Sequence, residues 1–133
     1  MAKILVVNDI SIMKRHLEKM GHTVVVEDTN GDSAVQQYKI FKPDVVIIDI
    51  IMPAENGVKN GIDSLKLIRE FDKEAKVIIV TSHGEEKLIM EALIAGAKGY
   101  ILNPVTEEKI QMALAKVIAQ LPNSDENIDQ EII

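Results

Sequence analysis

Val45-Val46-Ile47-Ile48-Asp49-Ile50-Ile51-Met52-Pro53 is the stretch that decides the fold. Four β-branched apolar residues run into one carboxylate; two isoleucines and Met-Pro follow. A strand wet on one face alternates apolar with polar residues. This run does not, so it reads as a strand covered on both faces, the kind found in parallel sheets flanked by helices. Asp49 then falls near the carboxyl end of the strand, the edge of an open parallel sheet where ligands bind. The plainer role for the same aspartate is a turn residue that hydrogen-bonds local amides.

Working outward, Lys3-Ile4-Leu5-Val6-Val7 is a second apolar strand, ending at Asn8-Asp9. Residues 11–20 carry Met13, Leu17 and Met20 at one-face helical spacing, and Gly21 suits the left-handed position that closes a helix. Thr23–Glu27 is β-branched. Residues 32–41 form a helix with Ala34, Val35, Tyr38 and Phe41 as its stripe, stopped by Pro43. The two Asn-Gly pairs of residues 54–61 mark a turn-rich loop. A helix over Ile62–Glu70, a strand over Lys76–Val80 ending at Thr81-Ser82, a helix over Glu85–Ala95 closed by Gly96, and a strand over Gly99–Leu102 follow. Thr106 caps a last helix with Ile110, Leu114, Val117, Ile118 and Leu121 inward, stopped by Pro122.

Strand and helix thus alternate five times. Because crossovers between parallel strands are right-handed, the expected fold is α/β: a doubly wound five-stranded parallel sheet of order 2-1-3-4-5 with five helices, flavodoxin-like. That order makes the first and third strands neighbours, so Asp9 is expected beside Asp49. Residues 1–121 form one domain, and 122–133 an acidic tail expected to be disordered.

The chain has 133 residues and no cysteine, which excludes a disulfide framework and thiolate chemistry. No apolar run approaches the roughly 18 residues a membrane span needs, and no signal-peptide core is present; a cytoplasmic location is the default. Net charge is −6. Residues 122–133 hold four acids and no base, leaving 17 acids against 15 bases elsewhere. Without a basic stripe, and with only two Tyr and two Phe, direct nucleic-acid binding is not expected.

Two carboxylates brought to one sheet edge repel by several kcal/mol. A hard divalent cation such as Mg²⁺ offsets that repulsion, with carboxylates, a backbone carbonyl and waters as ligands. A carboxylate beside Mg²⁺ can also act as a nucleophile toward a phosphoryl group. The alternative for Asp9 is a helix cap.

The segments Ile4–Asp9, Asp44–Pro53, Val77–Ser82 and Ala95–Pro104, in that order and spacing, give the chain a clear likeness. Over residues 2–120 it resembles the receiver domain of two-component response regulators, of the single-domain chemotaxis type. The resemblance implies that Asp49 accepts a phosphoryl group from a histidine kinase. It implies that Asp9, Asp49 and the Ile51 carbonyl ligate Mg²⁺, with Asn8 acting through a water. It makes Thr81 the hydroxyl that contacts the phosphoryl oxygens and Tyr100 an aromatic switch that swings inward. Output then runs through the fourth helix, fifth strand and fifth helix to a partner whose identity the sequence does not give. A monomer or weak dimer without membrane attachment is expected.

Three departures stand against the family pattern. Asn8 replaces the first of two adjacent acids, which weakens the expected Mg²⁺ affinity. Asn103 occupies the position of a lysine, and asparagine donates hydrogen bonds without neutralising charge; Lys98 and Lys59 are the nearest substitutes. Met52-Pro53-Ala54-Glu55-Asn56-Gly57 meets the family's turn, so Val58-Lys59-Asn60-Gly61 reads as an insertion on the rim. His83 could edge the cleft, while His16 and His22 are expected at the surface.

The expected function is a phosphoacceptor switch, not a turnover enzyme, beyond possible self-phosphorylation and dephosphorylation. The alternative is a phosphorylation-independent pseudo-receiver that works as an interaction module. A flavodoxin-like nucleotide binder is disfavoured, because Asn8-Asp9-Ile10-Ser11 puts an acid where a phosphate loop needs amides.

Overall fold

A computed structural model describes residues 2–7, 11–27, 31–50, 61–82 and 86–118. The elements are β1 (Lys3–Val7), α1 (Ser11–Lys19), β2 (Thr23–Glu27), α2 (Gly31–Phe41), β3 (Val45–Asp49), α3 (Gly61–Phe71), β4 (Val77–Thr81), α4 (Glu86–Ile94), β5 (Gly99–Leu102) and α5 (Glu107–Ile118). All strand pairings are parallel, in the order β2-β1-β3-β4-β5. The order expected from the sequence is the order found.

Alternation along the strands divides the core into two layers. Ile4, Val6, Val45, Ile47, Ile78 and Val80 pack with Met13 and Leu17 of α1 and Ile110, Leu114 and Val117 of α5. Leu5, Val7, Val46, Ile48, Val77 and Ile79 pack with Ala34 and Tyr38 of α2, Ile62, Leu65 and Ile68 of α3, and Ala92 of α4. Val45, Val46, Ile47 and Ile48 are all fully buried, each contributing roughly 1.5–3 kcal/mol of hydrophobic stabilisation. Burial on both faces is the physical reason this strand lacks a polar alternate.

Helix ends follow local chemistry. Gly21 and Gly96 have φ of 97° and 115°, the left-handed conformation after a helix. Thr106 caps α5, its Oγ1 accepting from the Lys109 amide at 3.2 Å. The Tyr38 hydroxyl donates to Asp72 at 2.7 Å and ties α2 to the end of α3; burial, then the Asp72 carboxylate, pushes the phenol's pKa up.

The two histidines expected at the surface are half-buried and bonded. His16 Nδ1 lies 3.1 Å from Glu107 Oε2, with Lys19 Nζ at 3.2 Å from the same oxygen. These hydrogen bonds, His16's first, hold the Glu107 carboxyl below its ordinary range and link α1 to α5. The His22 Nδ1 accepts from the Ala2 backbone N–H at 3.2 Å. Burial, then the N-terminal ammonium, lowers the His22 pKa.

Gly61 is the last residue of the stretch read as an insertion, and residues 51–60 before it lie outside the described residues. It is the first residue of α3, buried, with its N–H donating to the Ile50 carbonyl at 2.7 Å. A Cβ there would overlap the Asp49 carbonyl oxygen and reach 2.7 Å from Ile48 Cγ2. Gly61 thus lets α3 approach the end of β3. Gly61→Ala should lower stability by about 1–3 kcal/mol through overpacking, seen as a lower urea midpoint with an unchanged slope.

Candidate functional site at the carboxyl edge of the sheet

Three predicted site residues come together at one edge because three neighbouring parallel strands end there. Asp49 is the last residue of β3, half-buried, with Val80 as its partner on β4. Thr81 is the last residue of β4 and pairs with Leu102 on β5. The Thr81 carbonyl accepts from the Asn103 N–H at 2.7 Å, which fixes Asn103 directly beyond β5. Neighbouring strands lie about 5 Å apart, so the three residues line a continuous shelf. The Asn103–Pro104 peptide bond is cis.

Thr81 is the unusual member. It is 2% exposed, and its Oγ1 has no hydrogen-bond partner among the described residues. A buried hydroxyl left unpaired costs about 1–3 kcal/mol, and most such groups find partners. Asn103 is exposed, and among the described residues its Nδ2 reaches only Ser82 Oγ, at 3.4 Å. That long contact leaves its amide donors largely available.

Tyr100 precedes Leu102 by two residues, so it lies diagonally across from Thr81 on the same face of the sheet. Its ring is 45% exposed, turned outward among Leu93 of α4 and Met112 of α5. Asn8, Asp9 and Ile51 lie outside the described residues, as do Lys59 and His83. The last described residue of β1, Val7, pairs with Ile48, one residue before Asp49.

The lysine substitutes suggested by sequence divide differently. Lys98 precedes β5 at its amino end, where its N–H donates to the Val77 carbonyl. Four residues of strand, about 13 Å, separate that end from Asn103, so Lys98 does not serve the shelf. Sequence reasoning overlooked Lys109. Its Nζ donates to the carbonyls of Leu102 and Pro104, both at 3.0 Å, and so clamps the turn on either side of Asn103. The signal for it was faint: a lysine in the first turn after the Thr106 cap, close enough to fold back over that turn.

Comparison with known proteins agrees with this architecture. The response regulator receiver domain matches residues 4–115. The chain is 40% identical over 119 residues to the chemotaxis protein CheY of Thermotoga maritima, covering 86% of this chain and 96% of that one. It is 36% identical to the chemotaxis protein CheY of Halobacterium salinarum, covering 89% and 98%. The crystal structure of a response regulator receiver domain protein from Clostridium thermocellum superposes with a TM-score of 0.78 at 28% identity, covering all of both chains.

Replacing the orphaned hydroxyl by a methyl of the same shape removes a buried polar group without opening a cavity. Thr81→Val should therefore raise the unfolding free energy of the unmodified protein by roughly 1 kcal/mol, measured by urea denaturation.

Proposed function

Because the chain belongs to the response regulator receiver family, we propose that it is a phosphoacceptor switch in which Asp49 receives a phosphoryl group from a histidine kinase. The observation that carries this reading is the buried, unpartnered Thr81 hydroxyl one strand away from a half-exposed Asp49. A phosphoryl group adds about two negative charges and three strong acceptors, which is the partner that an orphaned donor beside a carboxylate lacks.

In the transfer, an Asp49 carboxylate oxygen attacks the phosphorus of the donor phosphohistidine. A P–O bond forms, the P–N bond breaks, and the imidazole nitrogen leaves with the electron pair. Thr81 Oγ donates to a phosphoryl oxygen, and the Asn103 amide donates to another. Receiver domains bind Mg²⁺ at the acidic phosphorylation site. Here Asp9, Asp49, the Ile51 carbonyl and Asn8 through a water would hold it. The ion would supply charge neutralisation for the incoming phosphoryl oxygens, less tightly bound than by a pair of adjacent acids.

Drawing Thr81 toward the phosphoryl group frees space on its face of the sheet. Tyr100, diagonal to it and turned outward, is the side chain able to move into that space. The change would be read on the α4–β5–α5 face, a packing shift at a two-state element. Asn103 supplies no positive charge, and this favours a second reading: a pseudo-receiver whose interactions are independent of phosphate.

Incubation with acetyl phosphate and Mg²⁺ followed by intact-mass measurement separates the two. The wild-type chain should gain one phosphoryl group, Asp49→Asn should gain none, and Asn103→Lys should prolong the lifetime of the adduct or strengthen switching. No gain in wild type, while a control receiver labels fully, would favour the pseudo-receiver instead.

A further inference from the structure

Between α4 and α5, along the open edge of β5, runs a groove of about 540 Å³. Its apolar lining includes Leu93, Tyr100 and Met112, which are 39%, 45% and 68% exposed. Three lysines, Lys98, Lys109 and Lys116, border it, and among the described residues no acidic one does. The Lys109 ammonium is engaged by two backbone carbonyls. Neither Lys98 nor Lys116 is in an ion pair among the described residues. Among the described residues, the groove is thus an apolar trough whose lining charge is positive.

We propose that this groove is the docking site of the chain's own acidic segment, residues 122–133, bound in cis. Within that segment Asp125, Glu126, Asp129 and Glu131 provide four negative charges, and Ile128, Ile132 and Ile133 provide apolar side chains. Its composition is the complement of the groove in both respects. The connection is also short. Helix α5 forms one wall and returns toward the amino end of the sheet, where Lys98 stands, and the chain continues from Ile118 into the acidic segment. A twelve-residue helix is about 18 Å long. The eleven residues after Pro122 span up to about 36 Å when extended, enough to run back along the whole groove.

The regulatory meaning rests on the reading of this face as the output surface: the segment must leave before a partner can bind. The seating itself requires no phosphorylation. Since the chain contains no cysteine, Asn127→Cys gives a unique site for a nitroxide label in the full-length protein. Paramagnetic broadening should then remove the amide signals of Leu93, Lys98, Tyr100 and Met112. Combining Asp125→Asn, Glu126→Gln, Asp129→Asn and Glu131→Gln should restore them. Undiminished signals at these amides, or broadening elsewhere only, would overturn the proposal. So would equal broadening when the nitroxide is on one chain and the isotope label on another, since the occupant would then be a second copy. The measurement involves no phosphoryl donor, so its failure is distinguishable from a failure of Asp49 to be labelled.

Discussion

The structure depends on the parallel pairing of β3 between β1 and β4. Its four leading residues are buried against helices on both sides, so the strand has no freedom to slip: a one-residue shift would exchange the two layers of the core. The same ladder fixes the heights at which neighbouring strands end. Asp49, Thr81 and Asn103 meet on one shelf because Asp49 is level with Val80 and Thr81 is level with Leu102. Position at the shelf is a product of register, and register is a product of apolar burial.

The shelf combines a stable support with a locally unfavourable group. The Thr81 carbonyl accepts from the Asn103 N–H, while its side chain is sealed in without a partner among the described residues. Such a residue stores a modest free energy that a ligand with acceptor oxygens can release. Tyr100 on the same face has the opposite condition, an aromatic residue left partly in water. Two poorly satisfied side chains thus share one face of the sheet, which is what the proposed switch would draw on.

Much of the fold was legible because its causes are local or periodic. Val45–Ile48 announced double-sided burial by lacking polar alternates, Gly21 and Gly96 announced left-handed helix ends, and Ile110, Leu114 and Val117 announced a helix face. What escaped depended on three-dimensional proximity. Gly61 reads as one more turn residue until α3 is laid against the Asp49 carbonyl. Lys109 reads as a solvated first-turn lysine until its ammonium is found between two carbonyls, and His16 as a surface residue until α5 brings Glu107 beside it. Lys98 was misjudged for the converse reason: close in sequence to Asn103, it lies at the other end of the same strand.

The contact between Gly61 and the end of β3 also bears on how such a chain can diversify. Helix α3 is located by a backbone hydrogen bond to Ile50 and by the absence of a side chain at one position. Neither depends on how many residues join Pro53 to Gly61. Changes of length or sequence in the rim can therefore leave the seat of α3 against β3 undisturbed.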